Sequence, residues 1–319
     1  LVAFTSATHD IAADGFYMHG LDSHDQSFFV GIRSTFYRIS TIAGQGLLVI
    51  IAGLIEDHTG QIPLSWTVVF AILSILFFLA SLYHAWALPR PASDRHAPDR
   101  TVGGILRESL LTFRSFFMKK NIVPALLFML LFRLPEAQLV KIINPFLLDP
   151  IAKGGLGLST STVGIVYGTV GIIGLTLGGI LGGIAASQGG LKRWLWPMVC
   201  AITLPDLVYV YLAYAQDSAL WIVNTCVFIE QFGYGFGFTA YMLYLIYFSE
   251  GEHSTSHYAI STGFMALGMM LPGMMAGWLQ ELIGYRHFFL WTILCCAATF
   301  VVCLFIKIDP EFGKKKQQG

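Results

Sequence analysis

Apolar segments long enough to cross a bilayer as helices recur along most of this 319-residue chain. A helix needs about 20 apolar residues to span the hydrocarbon core. The pattern predicts nine spans, at residues 1–21, 29–55, 64–88, 121–149, 160–187, 192–215, 219–248, 257–283 and 286–306. The mean hydropathy is +0.66, and charged residues make up 12% of the chain against about 25% in soluble proteins. We therefore expect an all-α polytopic membrane protein.

Charge and cysteine content argue against several function classes. The 19 Lys and Arg residues balance the 19 Asp and Glu residues, so the net charge is zero and no nucleic-acid partner is expected. The cysteines all lie in apolar segments without a C-x-x-C pair, namely Cys200, Cys226, Cys295, Cys296 and Cys303. The sequence also lacks HExxH and GxSxG motifs and a histidine cluster. We predict no disulfide framework, metal site, cofactor or catalytic set.

Basic residues predict the orientation in the membrane. Residues 89–120, between the third and fourth spans, form a predicted basic linker with a short amphipathic helix near 102–118. The positive-inside rule places this linker in the cytoplasm. Counting spans from there puts Lys192-Arg193 and the lysines of the 307–319 tail on the same side. The three basic clusters therefore agree on a cytoplasmic C-terminus.

An internal repeat at a shift of 224 residues divides the spans into two halves. It aligns Tyr17-Met18 with Tyr241-Met242, Gly44 with Gly268 and Ala52-Gly53 with Ala276-Gly277. Residues 1–88 then correspond to the last three helices of one six-helix half, and residues 121–306 form a complete second half. We expect about 100 further residues, with three helices, before residue 1. This is the major facilitator architecture, with nine of twelve helices here and a substrate site at the midplane between the halves.

Isolated charged residues within the apolar spans are the candidate site. The first span carries Asp10 and Asp14, four residues apart and so on one helix face. The second carries Arg38 and Gln45 on one polar stripe, while Arg33 lies nearer the cytoplasmic end and is expected to extend to the membrane interface. A charge near the bilayer midplane costs about 2.5–3.5 kcal/mol, so such side chains face a bundle interior or a water-filled cavity.

The fourth and seventh spans carry polar residues on single helix faces. Arg133 and Glu136 are three residues apart, and Pro135 is expected to kink the helix beside them. Glu230, Tyr234 and Tyr241 follow one face of the seventh span.

We expect the charged residues to converge on one central cavity, namely Asp10, Asp14, Arg38, Arg133, Glu136 and Glu230. Glu230 has no basic residue on its own helix, so it is the first candidate for a proton carrier and Asp14 is the second. Asp10 and Glu136 are further candidates for proton coupling. The alternative is that these residues form structural ion pairs that fix helix register without contacting a substrate.

Several of these segments resemble a known group of transporters. Residues 7–15, ATHDIAADG, resemble the A-T-Q-D-I-x-x-D-[GA] signature of AmpG-type muropeptide permeases and acetyl-CoA transporters. Tyr37-Arg38 resembles the G-Y-R of the AmpG branch, and residues 133–136 resemble its K-L-G-D run with the charge signs kept. Glu230 with two following glycines and the segment 254–259 are also similar to patterns of that branch. Residues 183–195 resemble the cytoplasmic loop signature of facilitators, with Ser187 in place of its acidic residue.

The resemblance implies a function and roles for the site residues. AmpG-type permeases carry N-acetylglucosamine–anhydro-N-acetylmuramic acid peptides from periplasm to cytoplasm with the proton-motive force. The resemblance therefore implies a proton-coupled importer in the bacterial inner membrane, with a sugar-peptide, protons and lipid as partners, and we expect a monomer. Arg38 and Arg133 would bind a substrate carboxylate. The other expected substrate-binding residues are Gln45 and the tyrosines that would stack on sugars, Tyr17, Tyr37, Tyr234 and Tyr241.

Two kinds of alternative stay open. Within the same class, the substrate would be acetyl-CoA or a siderophore. From other classes, the chain would be a membrane-embedded enzyme, which the missing catalytic motifs disfavour, or a non-transporting membrane sensor. The intramembrane acids, which are Asp10, Asp14, Glu136, Asp206 and Glu230, outnumber the bases Arg38, Arg133 and Lys141. That balance favours a mostly neutral sugar-peptide over acetyl-CoA with its several phosphate charges.

Overall fold

The computed structural model describes residues 2–42, 44, 47–89 and 101–314, and β-strands are absent from these residues. The helices in chain order are α1 (Val2–Gly20), α2 (Ser23–Ile42), α3 (Leu48–Thr59), α4 (Ile62–Ala87), α5 (Val102–Phe117), α6 (Ile122–Leu131), α7 (Leu134–Leu148), α8 (Thr160–Ile165), α9 (Ile172–Gly189), α10 (Leu191–Thr203), α11 (Leu207–Ala215), α12 (Leu220–Ser249) and α13 (Ser254–Phe305). The chain forms two compact units, Thr35–His96 and the remaining residues Leu1–Ser34 with Ala97–Gly319.

Several predicted spans are interrupted helices. The fourth span breaks into α6 and α7 at Arg133, whose backbone leaves the helical region at φ −101° and ψ 16°. Pro135 follows in the first turn of α7, so the predicted kink is confirmed. The fifth span contains a π-helical turn at Val166–Gly171, and the sixth contains a 3-10 turn at Leu204–Asp206. The backbone of α13 breaks at Gly284, at φ 73°, between the predicted eighth and ninth spans.

Helix α12 packs closely between α9 and α10 because glycines line two of its faces. A Cβ atom on Gly235 would overlap the carbonyl oxygen of Leu175 in α9. On the other face, a Cβ atom on Gly237 would overlap the carbonyl oxygen of Met198 in α10. Small residues of this kind let membrane helices approach each other to backbone contact. The three helices therefore form a tightly packed group.

The predicted amphipathic helix of the linker is present as α5. Its first turn is capped by Thr101, whose hydroxyl oxygen accepts a hydrogen bond from the backbone N–H of Gly104 at 3.1 Å. Phe116 on its inner face is fully buried against Phe248 and His257. The predicted helix near 102–118 is therefore confirmed, while linker residues 90–100 lie outside the described residues.

The unit Thr35–His96 holds the end of α2 with α3 and α4. Helix α3 ends at Gly60, which has a φ of 67° and donates its backbone N–H to the carbonyl of Glu56 at 2.7 Å. Pro63 then lies in the first turn of α4, where its missing N–H removes no helical bond. The predicted second span, 29–55, covers parts of both α2 and α3, which end and begin at Ile42 and Leu48.

Four helical stretches of the described chain are long and apolar enough to cross a membrane by length and composition. They are Ile62–Ala87, Thr162–Gly189, Leu191–Ala215 and Ser254–Phe305. These stretches cover five of the nine predicted spans, because the last of them contains the eighth and the ninth. The other predicted spans coincide with α1, with α2 and α3, with α6 and α7, and with α12. The architecture is helical and multi-pass, and the total of nine crossings stays a prediction.

Candidate functional site

Polar side chains form a layer between two apolar clusters of the larger unit. On α7 the layer begins after Phe132 of one cluster and ends before Leu139 of the other. On α12 it begins after Val227 of the second cluster and reaches Tyr234, which already belongs to the first. On the sixth span it lies between Ile202 of the first cluster and Tyr209 of the second. Because the same order recurs on separate helices, these polar groups share one depth in the bundle. This layer contains the residues Arg133, Glu136, Asp206, Glu230 and Tyr234.

Arg133 is the centre of this layer. Its Nε and Nη2 donate to the two carboxylate oxygens of Glu136, at 2.7 and 2.8 Å, which is a bidentate ion pair. Nη2 also donates to the hydroxyl of Tyr234 on α12 at 2.8 Å. Arg133 is 9% exposed, so the pair is largely shielded from water. The backbone break at Arg133 turns this side chain and Glu136 toward each other at the start of α7.

Aromatic rings surround the Arg133 guanidinium on the α12 side. Its carbon lies 4.7 Å from the ring centre of Phe238 and 5.8 and 6.0 Å from those of Tyr234 and Tyr241. Such distances allow cation–π attraction. The Tyr241 hydroxyl donates to the carbonyl of Met129 at 2.6 Å, so its ring rather than its hydroxyl is directed toward Arg133. Three aromatic faces and one charged group therefore meet at one place.

Glu230 is held by hydrogen bonds to neutral groups. Its Oε2 accepts from the hydroxyl of Tyr209 at 3.0 Å and from the side-chain amide of Gln231 at 2.9 Å. The Tyr209 hydroxyl in turn bonds the hydroxyl of Tyr167 at 2.5 Å. Glu230 is 6% exposed, and Tyr209 is completely buried. A buried carboxylate with amide and phenol partners is suited to gaining and losing a proton.

Asp206 is a second buried carboxylate of the layer. It lies in the 3-10 turn before α11, 5% exposed, and its side chain makes no capping bond to α11. The thiol of Cys296 on α13 lies 3.8 Å from its Oδ2. Asp206 is also within electrostatic range of Glu230 and Glu136. The missing cap bond argues against a role of Asp206 as a simple helix cap.

Asp14 forms a separate polar centre with Arg33 between α1 and α2. The two side chains make a salt bridge, and the Arg33 guanidinium lies 5.2 Å from the ring centre of Tyr17. The location of Arg33 at the membrane interface stays a prediction, and the structure adds a partner for it, Asp14 of the preceding helix. Among the described residues, Nη1 of Arg33 and the buried hydroxyl of Tyr258 on α13 have no hydrogen-bond partner. Two hydrogen-bond donors close to the Asp14–Arg33 pair therefore lack an acceptor among the described residues.

The other predicted residues are less informative. Asp10 is exposed on α1, one turn before Asp14. Tyr37 is 71% exposed and belongs to the smaller unit. The side chain of Arg38 and the whole of Gln45 lie outside the described part of the chain. The predicted convergence of all six charged residues on one cavity therefore stays a prediction.

Some functional candidates were missed by the sequence interpretation. Tyr209 and Tyr167 contact Glu230 directly or through each other, although neither was selected. Tyrosine favours membrane interfaces, so a tyrosine well inside a span is a usable signal. Gln138 on α7 was also passed over, and it accepts from the indole N–H of Trp291 at 2.9 Å. In the described residues, no group of three or more His, Cys, Asp or Glu side chains is arranged to hold a metal ion.

This chain is similar to known transporters along most of its length. The family model described as Major Facilitator Superfamily matches residues 21–272. The "Putative transporter AmpG 4" of Rickettsia conorii is 25% identical over 309 residues, which cover 96% of this chain and 70% of that protein. The "Anhydromuropeptide permease" of Escherichia coli K12 is 24% identical over 314 residues, which cover 98% of this chain and 60% of that protein. The "Putative transporter AmpG 3" of Rickettsia prowazekii is 22% identical over 323 residues.

Proposed function

The chain belongs to the Major Facilitator Superfamily, and from this membership we propose that it is a proton-coupled importer of anhydro-muropeptides in the bacterial inner membrane. The observation that carries the proposal is the Arg133 centre, where one buried arginine, one carboxylate and three aromatic rings meet within the polar layer. The similarity to a relative named anhydromuropeptide permease supports this substrate class. Because the chain spans 60% of that relative, the activity belongs to the complete gene product.

The chemistry of the Arg133 centre matches a sugar-peptide. Glu136 occupies Nε and Nη2 of Arg133, and Tyr234 occupies Nη2 as well. Nη1 is the donor that would meet a carboxylate of the peptide. The partly buried ring of Phe238 would pack against the apolar face of a sugar ring, whereas Tyr241 is completely buried and supports Phe238 from behind. Arg38 and Tyr37 remain proposed contacts of the same substrate.

Proton coupling is proposed to involve the carboxylates of the same layer. Glu230 is our first candidate, because it is a buried carboxylate that accepts hydrogen bonds from a phenol and an amide. Protonation of Glu136 would weaken its ion pair and release Arg133 to bind a substrate carboxylate. Asp14 stays our second candidate and forms an ion pair with Arg33.

Uptake by sealed vesicles that contain the complete gene product tests the proposal. Labelled anhydro-muropeptide and labelled acetyl-CoA are compared under an inward proton gradient, with a protonophore as control. We expect gradient-dependent accumulation of the muropeptide, which is lost in Arg133→Gln and Glu230→Gln. Gradient-dependent uptake of acetyl-CoA without a muropeptide signal would overturn the substrate assignment.

A sensor remains the candidate from another class. A sensor would bind the muropeptide without moving it, so the vesicles would show neither accumulation nor counterflow of labelled substrate. Binding to the solubilised protein with no counterflow would therefore replace the transporter proposal with a receptor.

A further inference from the structure

We infer that Tyr167 and Tyr209 form a proton path that connects Glu230 with the predicted periplasmic side of the membrane. This inference rests on the proposed proton coupling and adds the route and its direction. Three side chains from three different segments form the path. Tyr167 lies in the π-helical turn at Val166–Gly171, Tyr209 in α11 and Glu230 in α12. Their polar atoms are in continuous hydrogen-bond contact, at 2.5 Å between the phenols and 3.0 Å from Tyr209 to Glu230.

The number of hydrogens fixes the direction of the bonds. An ionised carboxylate only accepts hydrogen bonds, so the single hydroxyl hydrogen of Tyr209 is donated to Glu230. The bond between the phenols must then be donated by Tyr167 to the oxygen of Tyr209. Both hydroxyl hydrogens therefore point along the path toward the carboxylate. This is the arrangement needed to deliver a proton inward to Glu230.

The transfer itself is balanced by the three groups and water. Tyr167 takes a proton from a hydronium ion, which becomes water, and passes its own hydroxyl proton to Tyr209. Tyr209 passes its proton to Glu230, which becomes neutral, and each phenol ends with one hydrogen as before. Rotation of the two hydroxyls then restores the starting order of donors. No phenolate has to persist, so the ordinary high pKa of tyrosine is no obstacle.

The outer end of the path is Tyr167, which lies about 12 Å inside the fifth span. Tyr167 is partly exposed, whereas Tyr209 is buried. Tyr167 follows Ser159, whose side chain caps α8, by eight residues, which is about 12 Å along a helix axis. In the predicted orientation the Ser159 end of this span faces the periplasm. Water from this side would reach Tyr167 before any other member of the path.

A π-helical turn lies at the place where Tyr167 meets Tyr209. Tyr167 is the second residue of this turn, and such turns are frequent at functional sites. Gly171 at the end of the turn lies against both neighbours, because an added Cβ would be 3.5 Å from Gln231 and 3.6 Å from Tyr167. The turn and α12 are therefore in direct contact around the carboxylate.

Several other ionisable groups lie near Glu230 in the described part of the chain. Asp206 lies on the turn before α11, within electrostatic range of Glu230. Glu136 of α7 is paired with Arg133. Tyr234 lies one helical turn from Glu230 on α12 and accepts from Arg133. Among the described residues, Tyr209 and Tyr167 link Glu230 to the fifth span through two consecutive hydrogen bonds.

The test separates proton delivery from substrate movement. Vesicles with the complete protein carry Tyr209→Phe or Tyr167→Phe, which remove a hydroxyl and keep the ring. Uptake driven by a pH gradient is compared with counterflow at equal pH, which needs no net proton movement. We expect gradient-driven uptake to fall about tenfold or more, as expected for loss of a proton-transfer group, with counterflow within about twofold of the wild type. Equal losses in both assays, or no loss in either, would overturn the path.

Tyr285→Phe is the matched control. The Tyr285 hydroxyl donates to Oδ2 of Asp149 at 2.8 Å, so this variant also removes a phenol–carboxylate bond, but outside the path. We expect its ratio of gradient-driven uptake to counterflow to equal that of the wild type. A lowered ratio would show that loss of a phenol hydroxyl at any site impairs coupling, and would overturn the assignment to Tyr209 and Tyr167.

A second measurement needs no substrate. After a rapid drop in pH, time-resolved infrared spectroscopy follows the carboxylic C=O band that Glu230→Gln removes. We expect the band to appear about tenfold more slowly in Tyr167→Phe and Tyr209→Phe, and an unchanged rate would refute the path. If wild-type vesicles do not transport and Glu230 shows this band, the proposed substrate fails while the path is still tested. If Tyr209→Phe does not fold, the partly exposed Tyr167→Phe carries the test.

Discussion

Replacing Glu136 by glutamine tests whether the Arg133–Glu136 pair is held in a shielded environment. The change keeps the shape of the side chain and removes its charge. In the wild type, both carboxylate oxygens of Glu136 accept from Arg133, at 2.7 and 2.8 Å, and Arg133 is 9% exposed. A glutamine offers one acceptor oxygen and turns an amide donor toward the guanidinium. Glu136→Gln therefore leaves a buried positive charge with half of its bidentate partner.

The expected loss is large for a single substitution. Breaking a buried ion pair by removing one partner costs about 3–5 kcal/mol of unfolding free energy. At about 2–4 °C per kcal/mol for a unit of this size, the melting temperature should fall by roughly 6–20 °C. The matched control is Glu311→Gln, because Glu311 and Lys314 form an ion pair with the same i, i+3 spacing on the surface. An exposed pair is worth about 0–1 kcal/mol, so this variant should melt close to the wild type.

A double variant separates stability from function. Arg133→Met with Glu136→Leu removes both charges and lets the methionine pack on the aromatic rings of α12. Such replacements are about neutral or stabilising, so thermal unfolding of the purified protein should return to within about 1 kcal/mol of the wild type. We expect the double variant not to transport, because the Arg133 donors for the substrate carboxylate are gone.

Two results would refute this reasoning. If Glu136→Gln and Glu311→Gln melted at the same temperature, the pair would not be shielded from water. If the stable double variant transported at the wild-type rate, the pair would only fix helix register, which is the structural alternative raised by the sequence.

The remaining predictions concern packing, pH and the contact between α2 and α9. Gly235→Ala should lower stability by about 1–3 kcal/mol because its Cβ overlaps a backbone carbonyl, whereas Gly277→Ala, which meets open space, should be neutral or stabilising by up to about 1 kcal/mol; equal melting temperatures would contradict this. Burial lowers the pKa of Lys119 despite the nearby Glu250 charge, so the unfolded chain binds this proton more tightly. The contribution of Lys119 to stability therefore rises with pH from the lowered pKa up to about 10.4, and the melting temperature of Lys119→Gln should not show this rise. His24→Ala removes the bond between Nδ1 of His24 and the carbonyl of Ser187 at 3.0 Å. Loss of this contact should open the ends of α2 and α9, so that Ser187→Cys reacts faster with a membrane-impermeant maleimide; an unchanged rate would show that the contact does not close this end of the two helices.

Local signals were sufficient for much of the fold. Pro135 predicted the kink in the fourth span, because proline removes a backbone donor wherever it lies. The boundary between the eighth and ninth predicted spans coincides with Gly284, whose positive φ ends the helical backbone. The apolar stripe and basic residues of the linker predicted α5 within one or two residues. Each of these features depends on residues close together in the chain.

Contacts between distant segments were the part that could not be predicted. The partner of Arg33 is Asp14 on another helix, and sequence position and charge indicated only an interface location. Tyr167 and Tyr209 are 42 residues apart and meet at a π-helical turn, for which no sequence rule was available. The isolation of charged residues within apolar spans identified the candidates, whereas their pairing required the packed helices.

The contacts of α1 and α2 add hydrogen bonds to the close glycine packing that is also found inside the second half. Helices α9, α10 and α12 approach through glycines to backbone contact, so separating them would expose a closely packed surface. At the contacts of α1 and α2, His19 bonds Thr255 at 3.1 Å and His24 bonds a carbonyl of α9 at 3.0 Å. Hydrogen bonds of this kind contribute about 0.5–1.5 kcal/mol each and are replaced by bonds to water when they open. Helix α2 also approaches α9 to backbone contact, because a Cβ atom on Gly31 or on Gly183 would overlap a carbonyl oxygen of the other helix. A transporter of this superfamily alternates by moving one half against the other, so in the predicted division into halves both the hydrogen bonds and this close approach have to open.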